Sequence, residues 1–164
     1  MALTLGQIIF RLVLAAVLSA AIGLEREYRH KPAGLRTNIL VAVGSTLVML
    51  TSIYAAGITD QGDITRIASG VLTGIGFLGA GVIMRGRSKD REDEEIVQGI
   101  TTAATIWIVA AIGLAVGLGF YSAAIFSTLI ALLILFVFNS ERIRDKLDNL
   151  DNLDQKNSKV NKHE

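Results

Sequence analysis

Residues 67–84 read IASGVLTGIGFLGAGVIM, an apolar segment of membrane length that is rich in glycine. Glycine in a helix interior costs about 1 kcal/mol relative to alanine, so this density predicts a backbone that comes close to another element. Small residues at helical spacing let membrane helices pack closely. We therefore predict that this helix is central and contacted on both sides. The predicted packing residues are Gly70, Gly74, Gly76, Gly79 and Gly81.

A second deciding segment follows a charged connection, and residues 99–119 read GITTAATIWIVAAIGLAVGLG. A helix needs about 20 apolar residues to cross the hydrocarbon core of a bilayer. Five spans are predicted, at residues 5–24, 36–56, 66–84, 99–117 and 120–138. The predicted fold is all-α, a polytopic membrane protein in contact with lipid. Its transmembrane domain covers residues 1–138, and residues 139–164 form a charged tail that is partly helical and then disordered.

Positive charge is distributed unevenly between the two ends of the predicted spans. Arginine and lysine favour the cytoplasmic side of a membrane. One set of ends carries Arg26, Arg29, Lys31, Arg36, Arg85, Arg87, Lys89, Arg91, Arg142, Arg144 and Lys146. The opposite ends carry Arg66. We therefore predict that the N-terminus lies outside and that the C-terminus lies in the cytoplasm.

The two predicted hairpins resemble each other. Gly23 corresponds to Gly81, Arg26 corresponds to Arg85, and the segment 34–37 corresponds to the segment 99–102. Both hairpins would run in the same direction, as parallel repeats whose interface can hold a ligand. The alternative is that any two helical hairpins of the same orientation share charged inner ends.

Polar residues gather at the predicted cytoplasmic ends of the first, second and fourth spans. Charged groups at membrane depth are costly unless they are paired, so we expect an ion pair between Glu25 and Arg36. The alternative is that they are interfacial charges that reach water. The predicted functional cluster consists of Glu25, Arg26, Arg36, Thr37, Asn38, Thr101 and Thr102.

Arg11 is a charged residue inside the first predicted span. An arginine within a membrane segment is by default a candidate functional residue. The alternative for Arg11 is that its long side chain reaches the outer interface.

The residue types present argue against several functional classes. Cysteine is absent, and both histidines lie outside the apolar segments. Two nearby carboxylates, Glu25 and Glu27, are too few to form a cage for Mg²⁺. No combination of nucleophile, base and orienting group is evident. We expect no enzymatic activity, no cofactor, no metal site and no nucleic-acid partner.

Four motifs in this order resemble the MgtC/SapB family of bacterial inner-membrane proteins. They are GLERE at 23–27, AGLRTNILVAVGS at 33–45, GIGFLGAGVI at 74–83 and the segment 99–119. The resemblance implies a location in the bacterial cytoplasmic membrane, four or five spans and a link to growth under low Mg²⁺. For some members of the family, the link is to survival inside host cells. The matching motif positions are Gly23, Glu25, Arg26, Gly34, Arg36, Thr37, Gly74, Gly76, Gly79, Gly81, Gly99, Thr101 and Thr102.

The chain also departs from the pattern of that family. Asn38 stands where many members have histidine, and Gln98 stands where a basic residue is common. The connection 85–97 is longer and more acidic than usual. Larger members carry a C-terminal cytoplasmic domain, and we expect this chain to be a short form without it.

Two functional hypotheses remain from the sequence. The first is a non-enzymatic regulator of Mg²⁺-linked cation balance or membrane energy, which binds other membrane proteins. The second is a small permease that forms a homo-oligomer, with a dimer favoured. A route across the membrane needs polar groups at its centre, and the best candidates are Ser45, Thr46 and Thr73. Their small number favours the regulator slightly.

Overall fold

The described part of the chain forms five helices, four of which are long and apolar enough to cross a membrane. The computed structural model describes residues 3–59, 63–87 and 95–137. The helices are α1 (Leu5–Tyr28), α2 (Leu35–Thr59), α3 (Ile64–Val82), α4 (Ile100–Leu118) and the shorter α5 (Tyr121–Val137). The strands are β1 (Met84–Arg87) and β2 (Glu95–Gln98). The predicted all-α polytopic fold is confirmed.

The chain divides into two compact units, Met1–Leu132 and Leu133–Glu164. Of the second unit, the structure describes only the end of α5. The predicted tail over residues 139–164 lies outside the described residues.

Side chains in the connections fix where the helices begin. Thr4 and Gln7 form a reciprocal capping box at the start of α1. Glu27 Oε2 accepts a hydrogen bond of 2.9 Å from the backbone N–H of Leu35 at the start of α2. Asp63 caps α3, and hydrogen bonds from Thr65 hold the pKa of the Asp63 carboxyl below its ordinary value. These caps satisfy N–H groups that have no partner within the helix.

The most buried of the four long helices is α4, which packs against α1, α2 and α3. Two glycines bring α2 and α4 into close contact. A Cβ atom at Gly113 would collide with the carbonyl oxygen of Ala42, and one at Gly117 would lie 2.7 Å from the Cβ of Met49. The Thr46 hydroxyl donates a buried hydrogen bond of 2.8 Å to the Gly113 carbonyl. The GLAVG sequence at 113–117 is therefore the helix-packing motif that the fold uses.

The glycine-rich helix α3 lies at the edge of this bundle, against α4 and α2. Among the predicted packing glycines, Gly79 makes a contact, because a Cβ there would lie 3.4 Å from the Cβ of Ala103. The remaining four have no protein atom within 4 Å of the Cβ position: Gly70, Gly74, Gly76 and Gly81. The prediction that α3 is contacted on both sides is therefore wrong for the single chain. Contact of these glycines with a second chain stays a prediction.

The two members of one predicted repeat pair, Gly23 and Gly81, differ in their surroundings. A Cβ at Gly23 would lie 2.7 Å from the Cα of Leu35, whereas one at Gly81 would meet nothing within 4 Å. The connections differ as well, because β1 and β2 form an antiparallel ladder between α3 and α4. The packing therefore gives no support to the repeat at this position.

The β-ladder is an element that the sequence interpretation missed. Its register pairs Met84 with Gln98 and Arg87 with Glu95. The connection is highly charged, and the signal for a strand was only the short β-branched pair Ile96–Val97. Residues 90–94, four of which are acidic, lie outside the described part of the connection.

Arg11 connects α1 to the junction between α4 and α5. Its Nη1 donates a hydrogen bond of 2.6 Å to the Gly117 carbonyl, and its Nε donates one of 3.0 Å to the Tyr121 hydroxyl. A cation near the C-terminus of a helix is stabilised by unpaired carbonyl groups and by the helix dipole. Arg11 therefore caps the end of α4, which is the outer end in the predicted orientation, and both alternatives from the sequence stay predictions.

Replacing Arg11 by glutamine should destabilise the folded protein by about 1–3 kcal/mol, because a charge-assisted hydrogen bond to a partly buried carbonyl is lost. Tyr121→Phe is the matched variant, since it removes only the hydroxyl acceptor and should cost about 1 kcal/mol. Thermal unfolding in a neutral detergent, followed by circular dichroism, measures both. Equal losses in the two variants would contradict a capping role for Arg11.

Candidate functional site

A buried polar cluster lies where the end of α1 meets the starts of α2 and α4. It consists of Glu25, Arg26, Asn38 and Thr102, with exposed fractions of 7%, 5%, 0% and 3%. Charged and amide side chains are rarely so deeply buried unless they are paired. Their burial at one end of the bundle makes this cluster the candidate functional site.

Arg26 joins α1 to α4 within the buried polar cluster. Its Nη2 donates a buried hydrogen bond of 3.0 Å to the hydroxyl of Thr102, the third residue of α4. The Nε of Arg26 is also buried and has no hydrogen-bond partner within the described chain. The guanidinium therefore has one donor that is still unpaired.

Glu25 pairs with Arg29, the C-cap residue of α1, which lies one helical turn further along the chain. The Oε1 of Glu25 lies 2.5 Å from the Nε of Arg29. Residues four apart on a helix are neighbours on one face, so this pair needs no contact between helices. The predicted ion pair between Glu25 and Arg36 is wrong, because Arg36 is exposed in the first turn of α2. Glu27, the other carboxylate considered, caps α2 instead.

Asn38 closes the turn between α1 and α2. Its Nδ2 donates hydrogen bonds of 2.5 and 2.9 Å to the carbonyls of Ala33 and Gly34. Ala33 has a positive φ of 56°, a conformation that this bonding helps to hold. With both amide hydrogens used, the Oδ1 of Asn38 stays buried without a partner in the described chain. The side chain therefore fixes the turn and presents an acceptor to the interior.

The structure brings together only part of the cluster predicted from the sequence. Glu25, Arg26, Asn38 and Thr102 are buried. The side chains of Arg36, Thr37 and Thr101 are exposed, although they neighbour buried positions in the chain. Adjacent residues on a helix point about 100° apart, so one faces the bundle while the next faces outward.

Sequence reasoning missed Arg29 as the partner of Glu25 and Gly113 as the closest contact of α4. Both had a signal in the sequence. Glu25 and Arg29 have the spacing of a helical ion pair, and Gly113 and Gly117 have the spacing of a close helix crossing. The interpretation of the sequence gave more weight to the dense glycines of α3 and to an ion pair between connected helices than to these shorter patterns.

An apolar groove lies at the other ends of α1 and α2, away from the buried polar cluster. Its volume is about 370 Å³, and Thr51 and Tyr54 are its hydroxyl-bearing residues. The rest of its lining is Leu3, Ile8, Leu47, Leu50, Ile53, Gly57 and Ile58. The groove therefore does not extend the polar site.

Comparison with known proteins agrees with the motifs and the helical architecture. A model of the MgtC family matches residues 12–142. A protein of Escherichia coli K12 named "Putative magnesium transporter YhiD" is 43% identical over 85% of this chain and 64% of its own length. Protein SrpB of Synechococcus elongatus is 44% identical over 77% of this chain and 71% of its own length.

Protein MgtC of Salmonella typhimurium is 44% identical over 76% of this chain, and the match spans 49% of that protein. The chain thus matches about half to two thirds of two of these curated relatives. No solved structure matches the chain.

Proposed function

The chain belongs to the MgtC family, and from this premise we propose that it is a non-enzymatic regulator in the bacterial cytoplasmic membrane. It adjusts Mg²⁺-linked cation balance or membrane energy by binding other membrane proteins. The predicted orientation, with the C-terminus in the cytoplasm, is part of this proposal. So is the absence of enzymatic activity.

The proposal rests on the hydrogen bonds that buried hydroxyl groups make inside the bundle. Thr46 donates to the Gly113 carbonyl, Ser19 donates to the Ala15 carbonyl, and Thr105 donates to the Thr101 carbonyl. Each of these hydroxyl hydrogens is bonded to a backbone carbonyl inside the bundle, and all three residues are buried, so they serve helix packing. These contacts support a packed membrane body rather than a polar route.

The alternative proposal is a small permease with its polar site at the buried polar cluster. Its support is the deep burial of Glu25 and Arg26 and the name of the Escherichia coli relative, which describes a magnesium transporter. Mg²⁺ prefers several oxygen ligands that include carboxylates. Within residues 3–59, 63–87 and 95–137, however, no group of three or more His, Cys, Asp or Glu residues could hold a metal ion. This favours the regulator.

Flux measurements in proteoliposomes test the choice. The regulator predicts that Mg²⁺ and proton flux through liposomes containing the chain equals that of empty liposomes. A saturable flux that Glu25→Gln abolishes and Glu27→Gln retains would replace the regulator by the permease. Glu27→Gln is the matched control, because both residues are carboxylates at the same end and glutamine keeps an acceptor for the Leu35 N–H.

A further inference from the structure

The apolar groove bordered by α1 and α2 runs along one half of a membrane span. On α2 its lining begins at Leu47 and ends at Ile58, which are about 16 Å apart at the rise of an α-helix. The apolar span of α2 covers Leu35–Ile58, so Leu47 lies near its middle and Ile58 at its end. The hydrocarbon core of a bilayer is about 30 Å thick. The groove therefore has the length of one leaflet, at the end of the bundle opposite the buried polar cluster.

The apolar groove is narrow for its length. Its volume of about 370 Å³, distributed over about 16 Å of helix, corresponds to a width of about 5 Å. Carbon atoms of neighbouring groups are in contact at about 4 Å, so a single methylene chain fits this width. An α-helix with its side chains is about 10–12 Å across and does not fit. The dimensions therefore favour an acyl chain over a helix of a second copy.

Water is a poor occupant of the apolar groove. A trapped water molecule needs about two to four hydrogen-bond partners. The groove has hydroxyl groups only on Thr51 and Tyr54, and the Thr51 hydroxyl already donates to the Leu47 carbonyl of its own helix at 2.9 Å. An empty groove would also lose dispersion contacts along its whole lining. The lining therefore favours an apolar occupant.

The apolar groove is continuous with the surface that the spans present to lipid. At the same end of the bundle, five large side chains of α1 and α2 are each more than half exposed: Leu5, Ile9, Leu47, Tyr54 and Ile58. Helices of this length and apolarity lie in hydrocarbon, so their exposed apolar side chains contact lipid tails. Tyrosine is enriched where the hydrocarbon meets the headgroups, and Tyr54 lies near the end of its span. The apolar occupant at hand is therefore a chain of the surrounding lipid.

We propose that the apolar groove binds one acyl chain of a membrane phospholipid, whose headgroup lies beyond Tyr54. In the predicted orientation this lipid belongs to the outer leaflet. Protein atoms of two helices line the groove, so a chain within it makes more contacts than a lipid on a single helix face. The bound lipid should therefore remain when the surrounding lipid is removed. The site goes beyond the proposed regulator and requires neither a cation route nor a partner protein.

Filling the apolar groove with a side chain tests the proposal. Gly57 lines the groove, and a Cβ there would meet no atom within 4 Å, so leucine at this position would occupy groove space without a collision. Gly44→Leu is the matched control. Gly44 also lies on α2 with nothing within 4 Å of its Cβ position, but it does not line the groove.

Native mass spectrometry of the full chain, purified from membranes in a mild detergent, counts the phospholipids that each variant retains. We expect the unmodified chain and Gly44→Leu to retain one phospholipid per chain that Gly57→Leu loses. Equal retention by the unmodified chain and Gly57→Leu would overturn the proposal. Equal loss from both variants would overturn it as well, because the loss would then not depend on the groove.

A measurement on the unmodified chain keeps the proposal testable if Gly57→Leu does not fold. The chain is placed in liposomes that contain a phosphatidylcholine with a photoactivatable diazirine on one acyl chain, and the adducts are mapped by peptide mass spectrometry. We expect lipid adducts to concentrate on residues 3–8 and 47–58. Adducts spread evenly over the exposed faces of all helices would show ordinary lipid contact and overturn the site. Protection of the groove by a second copy, seen as a dimer without lipid adducts at these residues, would overturn it too.

Discussion

Replacing Gly113 by alanine should destabilise the folded protein by about 2–3 kcal/mol, because one methyl group would be forced into a packed helix crossing. The added Cβ would collide with the Ala42 carbonyl oxygen and lie 2.9 Å from the Cβ of Ser45. The backbone oxygen of Ala42 belongs to α2 and cannot turn away as a flexible side chain could. Separating the helices would also lengthen the bond from Thr46 to the Gly113 carbonyl.

Gly74→Ala is the matched control for this substitution. A Cβ at Gly74 would meet no atom of the chain within 4 Å, so the collision is absent. Alanine favours a helix over glycine by about 1 kcal/mol, and this gain should appear as an unchanged or slightly raised stability. Thermal unfolding of both variants in the same neutral detergent measures the difference. A Gly113→Ala protein as stable as Gly74→Ala would contradict the close crossing of α2 and α4.

The second large effect is expected at Gly99, the residue that turns the chain from β2 into α4. Its φ of +94° is a conformation that L side chains rarely adopt. A Cβ there would also collide with the carbonyl oxygen of Val82 and lie 3.0 Å from its carbonyl carbon. Gly99→Ala therefore combines backbone strain with a collision, and we expect a loss of about 3 kcal/mol.

Gly119→Ala separates these two causes. Gly119 has a similar φ of +91°, but the nearest atom to its Cβ position is the Nη2 of Arg11 at 3.2 Å, at the far end of a flexible side chain. Its substitution should cost about 1–2 kcal/mol from the backbone conformation. The same unfolding experiment compares the two variants. Losses of equal size would show that the contact between Gly99 and Val82 contributes nothing.

The helices could be predicted from sequence because membrane length and apolarity are properties of each segment alone. The fourth span was predicted at 99–117, and α4 covers Ile100–Leu118. The prediction required no knowledge of neighbouring helices, since the backbone groups in the interior of a membrane helix bond within their own segment.

The packing of those helices could not be predicted in the same way. A glycine pair four residues apart occurs at 70–74 and again at 113–117, and the spacing alone does not identify the helix opposite. Only the second pair meets a neighbouring helix in the chain. Whether a glycine makes a contact depends on two helices together, whereas a sequence motif describes one helix alone.

At the candidate site, too, buried residues could be predicted from the sequence, but their contacts could not. Glu25 and Arg26 were predicted from their charge and depth, and both are buried. The partner of Glu25 was not predicted correctly, because Arg29 and Arg36 both offer a guanidinium close by in sequence. Helical spacing places Arg29 on the face of Glu25 without any loop to fold, which decides the competition.

The open face of α3 has a practical consequence for work on this protein. The chain contains no cysteine, so a thiol introduced on that face would be the single thiol of the molecule. At Gly70, Gly74 or Gly81 it would displace no neighbouring atom, because nothing lies within 4 Å of the Cβ position. Its reactivity towards water-soluble and lipid-soluble maleimides, and its oxidation to a disulfide between copies, would report whether water, lipid or another protein covers α3 in a living membrane.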